Sequence, residues 1–313
     1  MAMLEELIET SPEFTAQAAL VAGGTVETRR QSLDTQRTRL RLQFPFILKP
    51  DVGQRGAGVK LVRDETQLEK YLCQTSAPLV MQRYAAGPFE AGIFYYRFPG
   101  EPRGKIFAIT EKIFPTLTGD GSSTIGELIK DDPRARLIQD TYARRFAVRL
   151  DEILSAGETL KLVEAGNHAQ GCIFRDGMRL NTPELEARID EISRKLDGFY
   201  IGRYDIRFAS EEDLLIGRNF QIIELNGAAS EATSIYDAEF IAVGISHFVP
   251  AVGAGFRHRR GEPGARLQAN PVLARLENLA AIFPHGGNVS GGGLNIECVR
   301  SLLSHGKMDL YWA

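Results

Sequence analysis

The sequence predicts an α+β fold, in which strands pair as hairpins and helices lie between the hairpins. Pairs of strand-like segments separated by a turn or loop support this: 44–50 with 59–62, 91–98 with 105–112, and 201–208 with 220–226. The last pair alternates polar and apolar residues, which is typical of strands with one buried face. Segments with helical periodicity, among them 133–154 with Leu137 facing inward, connect these pairs.

Composition limits the classes of function. The chain has 313 residues, 43% hydrophobic content and a formal net charge of −3, so a globular protein without a nucleic-acid partner is expected. No apolar run is long enough to span a membrane and the N-terminus lacks signal-peptide features, which predicts a cytoplasmic protein. The three cysteines are odd in number and far apart, so neither a disulfide framework nor a Cys-x-x-Cys metal site is indicated.

The hairpin 201–226 carries the strongest candidate site. Arg203, Asp205 and Arg207 share one face of its first strand, and Glu224 and Asn226 share a face at the end of its second. Two carboxylates and a carboxamide are hard oxygen ligands that suit Mg²⁺, and an arginine beside them can stabilise an anionic transition state. For these residues alone, an ordinary Asn-Gly turn flanked by solvated charges is an equally good interpretation.

A glycine-rich loop follows the strand that ends at Lys49. Its candidate ATP-binding residues are Gly53, Arg55, Gly56 and Gly58. Val59 stands where a Walker P-loop needs lysine, and the loop leads into a strand where that motif leads into a helix. We therefore expect a flap whose backbone N–H groups cover phosphates, with Lys49 as a point charge. The alternative is an ordinary hairpin loop.

The buried segment 78–84 becomes polar at its end, where an adenine ring would fit. The candidate contacts there are Gln82, Arg83 and Tyr84, with backbone groups of Gln82 and Tyr84 pairing with the purine edge. Glu90 would accept hydrogen bonds from ribose hydroxyls, and Lys112 is a second candidate phosphate cation. The alternative for Glu90 is a surface acid at a turn, and the alternative for Lys112 is a solvent-facing strand lysine.

The remaining segments complete the predicted organisation. The polar loop 164–170 contains Asn167 and is suited to face a substrate. Residues 1–43 predict one or two helices around a Gly-Gly break. Residues 44–240 predict the main domain, divided near residue 90, and the glycine-interrupted segment 241–313 predicts an irregular, partly disordered tail.

This order of motifs resembles the ATP-grasp superfamily over about residues 44 to 240. Gly202-Arg203-Tyr204-Asp205 followed by Glu224-Leu225-Asn226 is similar to the Gly-Arg-x-Asp and Glu-x-Asn signatures of D-alanine:D-alanine ligases. Segments 118–124 and 167–171 are similar to cyanophycin synthetase. The resemblance implies an α+β ATP-grasp fold with ATP held between two subdomains.

By this resemblance, the residues that would hold two Mg²⁺ ions, or Mn²⁺ in their place, are Asp205, Glu224 and Asn226. Arg203 would stabilise acyl-phosphate and tetrahedral intermediates, and Lys49 and Lys112 would bind ATP phosphates. The implied reaction joins a small-molecule carboxylate to an amine or thiol. An ATP-binding module without turnover and, less favoured, an ATP-grasp kinase are the alternatives.

Two departures from the superfamily pattern matter. The resembling proteins carry a whole α/β domain before the first lysine strand, where this sequence has 43 residues, and segment 241–313 lacks the expected closing helices. The chain is therefore a fragment or a divergent form, or else a homodimer or another partner supplies what is missing.

Overall fold

The computed structural model describes residues 2–51, 58–98, 100–164, 166–167 and 170–227. The predicted flap residues Gly53, Arg55 and Gly56 lie outside these residues, as does the segment 241–313. No helix in the described part of the chain is long and apolar enough to cross a bilayer.

Helices and strands alternate along the described chain. The helices are α1 Ala2–Thr10, α2 Val26–Leu40, α3 Glu65–Leu72, α4 Ile125–Asp131, α5 Gln139–Arg145, α6 Pro183–Arg194 and α7 Glu211–Leu215. The strands are β1 Ala18–Val21, β2 Phe46–Pro50, β3 Lys60–Val62, β4 Leu79–Arg83, β5 Phe89–Tyr96, β6 Lys105–Ile113, β7 Thr116–Thr118, β8 Thr159–Lys161, β9 Ile173–Asp176, β10 Ile201–Phe208 and β11 Phe220–Asn226. This mixture confirms the predicted α+β class.

The first sheet has the order β1-β4-β2-β3 with antiparallel neighbours. Its buried apolar residues, such as Phe46, Leu48 and Met81, form one core with residues of α2 and α3. The prediction that residues 1–43 are only helical is wrong, because Ala18–Val21 is a strand that pairs with β4. Three of its four residues are buried, and each of the four is paired with a residue of β4.

The second sheet has the order β11-β10-β5-β6-β9, again with antiparallel neighbours. On one face, Tyr204 and Ile206 join a core that includes residues of α1 and α6. The Tyr204 hydroxyl is also 2.8 Å from the Ser193 hydroxyl on α6. The predicted alternation in β10 is thereby confirmed, and the opposite face of this sheet carries the polar residues.

A short segment joins the two sheets. Residues before β1 run beside β11, where the Ile222 N–H donates to the Phe14 carbonyl at 2.7 Å and the Ala16 N–H donates to the Ile222 carbonyl at 2.9 Å. This places the end of β11 next to the strands β2 and β4 of the first sheet. The candidate site lies at this junction.

A smaller unit is built from the two-stranded antiparallel sheet of β7 and β8 and from helices α4 and α5, which lie between these strands in the chain, and it has its own apolar core. The predicted long helix over 133–154 is wrong. The chain forms a 3₁₀ turn at Ala135–Ile138 and then the short helix α5, and Leu137 is 76% exposed. The Asp132 carboxylate accepts the N–H groups of Arg134 and Ala135, which closes a turn where the helix was expected to start.

Candidate functional site

Asp205 and Glu224 lie directly opposite each other on β10 and β11, and Arg203 lies opposite Asn226. Opposed residues of an antiparallel pair project from the same face. The register therefore confirms that these four side chains share one face of the sheet, as the alternation predicts. Asp205 is buried, whereas Glu224 reaches solvent.

A β-bulge lies immediately beside this pair. Asp205 is aligned with Glu224 but Ile206 with Ile222, so Ile223 has no opposite residue in the ladder. The Ile223 carbonyl instead accepts hydrogen bonds from the Lys49 ammonium at 3.2 Å and from the Gln82 amide at 3.0 Å. The bulge thus fixes the lysine of the first sheet against the carboxylate strand of the second.

Lys112 lies between two carboxylates. Its ammonium is 3.1 Å from an Asp205 oxygen and 3.0 Å from a Glu90 oxygen, and the side chain is almost fully buried. Burial alone would lower the pKa of Lys112, but the charges of Asp205 and Glu90 more than offset this and raise it. Lys112 is therefore held as a cation at the centre of the site.

The absence of a side chain at Gly92 makes room for this arrangement. Gly92 lies opposite Asp205 on β5. A Cβ atom there would come within 3.1 Å of the Arg203 side chain and 3.2 Å of an Asp205 oxygen. Any larger residue would press on the ion pair between Arg203 and Asp205.

Glu90 does not occupy the place predicted for it. Because β5 begins at Phe89, Glu90 lies within the sheet opposite Arg207, and it is 4% exposed. Its oxygens accept from Lys112 and, at 3.0 Å, from Arg207. Both oxygens of Glu90 thus contact interior cations, and its role in binding ribose hydroxyls stays a prediction.

The predicted purine edge at Gln82 is also corrected. Strand β1, which the sequence did not predict, pairs along β4 and places Ala18 opposite Gln82. The next N–H, that of Arg83, donates to the Gln17 carbonyl at 2.7 Å. Gln82 thus lies between two strands, and its backbone cannot serve a purine. Tyr84 follows the strand end, with its ring 5.7 Å from the Arg207 guanidinium carbon.

The two opposed carboxyl groups have opposite pKa shifts. The side chain of Glu224 reaches solvent, but protein atoms surround most of its carboxyl group. This burial, and then the charge of Asp205, raise the pKa of Glu224. Burial alone would raise the pKa of Asp205, but the charges of Lys112 and Arg203 outweigh burial and lower it. Burial lowers the pKa of Lys49, although Glu224 partly compensates.

Arg203 is tied to the buried carboxylate. Its Nε atom is 3.0 Å from one Asp205 oxygen, and a second nitrogen is 3.5 Å from the other. The guanidinium therefore lies beside the carboxylates on the shared face, as predicted. In the substrate loop, the Asn167 carbonyl accepts from the N–H groups of Gln170 and Cys172, and the side chain of Asn167 is partly exposed.

The donor set fits a hard divalent cation. Asp205, Glu224 and Asn226 present carboxylate and carboxamide oxygens from one face. Burial and then the charge of Asp205 raise the pKa of Glu224, and a bound cation would stabilise its ionised form. Among the described residues no three His, Cys, Asp or Glu side chains form a metal-binding group. Phosphate oxygens of a ligand would have to supply further donors, as is usual for Mg²⁺.

Arg207 is a site residue to which the sequence analysis assigned no role. It bonds Glu90 through Nε and the Glu164 carbonyl through a terminal nitrogen. The sequence did indicate that Arg207 shares a strand face with Asp205. Its carboxylate partner, Glu90, is 117 residues away, so the pairing could not be predicted.

Comparison with known proteins agrees with the predicted resemblance. No family model matches the chain. Cyanophycin synthetase of Geminocystis herdmanii is 26% identical over 210 residues, which cover 59% of this chain and 23% of that protein. Cyanophycin synthetase of Synechocystis sp. is 26% identical over 207 residues with the same coverage. The chain thus spans about a quarter of the length of these curated relatives.

Two solved structures to which the chain is similar are a ligase and a synthetase. D-alanine–D-alanine ligase from Bacillus anthracis has a TM-score of 0.46 at 14% identity and covers 83% of this chain and 68% of its own. A bifunctional glutathione synthetase from Pasteurella multocida has a TM-score of 0.39 at 13% identity and covers 80% of this chain and 35% of its own.

The described residues form an α+β fold with antiparallel sheets. The sequence is similar to that of cyanophycin synthetases over 59% of the chain, in agreement with the predicted resemblance.

Proposed function

We propose that this chain binds Mg-ATP and joins a carboxylate to an amine, or to a thiol, through an acyl phosphate. The observation that carries the proposal is the shared sheet face on which Asp205, Glu224 and Asn226 lie beside Arg203 and Lys112. Oxygen donors for a metal and cations for phosphates are thus found within one site. The similarity to cyanophycin synthetases supports the same class of reaction.

The charges of the site favour an anionic ligand. Four cations surround three carboxylates; the cations are Lys49, Lys112, Arg203 and Arg207, and the carboxylates are Glu90, Asp205 and Glu224. Bound divalent cations would add to this positive excess. A nucleoside triphosphate together with a substrate carboxylate would balance it, whereas a neutral ligand would not.

In the proposed reaction, an oxygen of the substrate carboxylate attacks the γ-phosphorus of ATP and ADP leaves. The amine nitrogen then attacks the acyl carbon and loses a proton. Phosphate leaves, and it carries the carboxylate oxygen that attacked the γ-phosphorus. Bound Mg²⁺, held by Asp205, Glu224 and Asn226, would neutralise phosphate charge during the transfer.

The chain's own residues have separate roles in this proposal. Lys49, anchored on the bulge carbonyl, would contact a phosphate as a point charge. Arg203 would stabilise the negative charge that builds on the acyl oxygens, where a fixed guanidinium is most effective. Lys112 keeps Asp205 ionised and orients it. Asn167 is proposed as a substrate contact, because its neighbour Gly166 lies against Glu90 and Lys112.

ADP release measured across pools of carboxylates and amines tests the proposal. We expect release that requires ATP, a divalent metal and both substrates, and that Glu224→Gln abolishes. Binding of Mg-ATP without ADP release in any pool would favour a nucleotide-binding module. A stable phosphorylated product formed without an amine would favour a kinase.

A further inference from the structure

Helix α5 of the smaller unit holds the segment 162–172 through two side chains that have no role in the account above. Arg145 donates through one terminal nitrogen to the Leu162 carbonyl and through the other to the Gln170 side-chain oxygen at 2.9 Å. The Tyr142 hydroxyl donates to the Gln170 carbonyl at 2.9 Å. Two side chains one turn apart on α5 therefore bind the segment near both of its ends.

These contacts extend to Asn167, the proposed substrate contact. The N–H groups of Gln170 and Cys172 donate to the Asn167 carbonyl at 3.1 and 3.2 Å. Gln170 thus accepts a hydrogen bond from Tyr142 and donates one to Asn167. A chain of two hydrogen bonds therefore connects α5 with the backbone of the proposed substrate contact.

Two glycines allow the segment to lie close to its neighbours on both sides. Gly171 has a φ of +100°, and a Cβ atom there would overlap the Tyr142 hydroxyl. A Cβ atom at Gly166 would overlap the Glu90 carboxylate and lie 2.5 Å from the Lys112 side chain. The segment is thus packed between α5 and the interior ion pair, so a displacement on the α5 side would move it relative to the site.

The surroundings of Tyr142 and Arg145 favour a role in holding this segment. Tyr142 is 1% exposed within the apolar core of the smaller unit, and burial raises the pKa of its hydroxyl. Arg145 forms no ion pair with another described residue, and partial burial lowers the pKa of its guanidinium. A partly buried cation without a carboxylate partner is costly unless its donors are used, and here oxygens of the segment accept from them.

We propose that Tyr142 and Arg145 are positioning residues that hold the segment 162–172, and with it Asn167, in place for binding of the substrate. The inference rests on the proposed function, because it uses Asn167 as a substrate contact. Within the described residues no hydrogen bond or ion pair joins Tyr142 or Arg145 to Asp205 or Glu224. We therefore expect the two residues to affect the substrate and not Mg-ATP.

Steady-state ADP release tests the inference, with dilution of the carboxylate and amine pool that gives the highest wild-type rate. Tyr142→Phe and Arg145→Met remove hydrogen bonds to the segment, so half-maximal release should need about threefold to tenfold more of the pool. The maximal rate and the half-saturating concentration of Mg-ATP should stay close to wild type.

Each variant has a matched control. Tyr95→Phe removes another buried hydroxyl, which donates to Asp190 at 2.8 Å in a different core. Arg144→Met removes an exposed arginine beside Arg145 on the same helix. Both controls should reach half-maximal release at the wild-type pool concentration, whatever the change in their melting temperatures.

Hydrogen exchange of a peptide covering 162–172 gives a second measurement that needs no substrate. We expect faster exchange in Tyr142→Phe and Arg145→Met than in wild type, because hydrogen bonds that hold the segment are lost. The two controls should exchange as wild type does in this peptide. Unchanged exchange in both variants would overturn the inference, whatever the activity of the wild-type protein.

The kinetic outcomes separate this inference from the proposed function. Faster exchange with an unchanged half-saturating pool concentration would overturn the role in substrate binding and leave the proposed function standing. An increase that Tyr95→Phe shares would also overturn that role, because a general loss of stability would then explain it. Wild type that releases no ADP with any pool would overturn the proposed function and the role in substrate binding together.

Discussion

Asp205 and Glu224 face each other across β10 and β11, but only Asp205 is neutralised by the protein. Asp205 is buried against Lys112 and Arg203, which lower its pKa. Glu224 is held beside that charge with a raised pKa. A pair in which one carboxylate is compensated and the other is not favours the binding of an added cation at Glu224.

We expect Glu224→Gln to lose Mg²⁺-dependent ADP formation without losing stability. A carboxyl whose pKa is raised on folding contributes stability below its unfolded pKa, near 4.5, and this contribution is lost as the pH rises through the folded pKa. The variant should therefore gain in melting temperature relative to wild type between pH 4 and pH 8. The exposed Glu101→Gln is the control and should show no such trend. A variant destabilised at pH 8 would contradict this.

Asp205→Asn should be strongly destabilising. The substitution removes the carboxylate charge that Arg203 and Lys112 share. Removing one partner of a buried ion pair typically costs about 3–5 kcal/mol in the free energy of unfolding. Urea denaturation measures this loss. The exposed pair of Arg63 and Glu164 provides the comparison, since Arg63→Gln should cost less than ~1 kcal/mol. Similar losses in the two variants would show that the Asp205 network is not an interior one.

Lys49→Met should separate ligand binding from stability. Because burial lowers the pKa of Lys49, the unfolded chain binds more protons between the folded pKa and 10.5, and wild-type stability rises with pH across that window. Removing the charge should leave the melting temperature at neutral pH unchanged or higher, while Gln82 still donates to the Ile223 carbonyl. Mg-ATP affinity, measured by calorimetry, should fall. Unchanged affinity would exclude Lys49 as a phosphate contact.

Arg203→Ala tests whether the arginine acts in the transition state. Loss of one such donor typically lowers kcat on the order of 10²-fold or more, with little effect on ATP affinity. Asp205 keeps Lys112 as a partner in this variant, so the carboxylate remains compensated. The melting temperature, Mg-ATP affinity and ligation rate should be measured on the same preparation. A rate loss that weaker nucleotide binding fully explains would assign Arg203 a structural role.

The strand pair that carries the proposed metal ligands could be predicted from the sequence because its information is local. A strand repeats every two residues, so the positions of Arg203, Asp205 and Arg207 place them on one face whatever the strand pairs with. The connection to β11, which contains α7, is short enough that the two strands pair with each other. The shared face of Asp205 and Glu224 follows from these two facts.

The neighbours of that face could not be predicted, because they come from distant parts of the chain. Strand β1 is recognised only through its pairing with β4, about 60 residues later, and this pairing removes the predicted purine edge at Gln82. Glu90 meets Arg207 across 117 residues. The bulge at Ile223 has no sequence signal, since an extra residue in an alternating strand resembles an ordinary one.

Transfer of oxygen from the carboxylate substrate tests the central claim most directly. If the carboxylate attacks the γ-phosphorus and an amine later displaces phosphate, one carboxylate oxygen ends in the phosphate. Turnover with an ¹⁸O-labelled carboxylate pool, ATP, Mg²⁺ and amines should therefore yield phosphate with one ¹⁸O atom per product molecule, detected by mass spectrometry. Phosphate that carries no label, with its new oxygen from water, would contradict ligation through an acyl phosphate at this site.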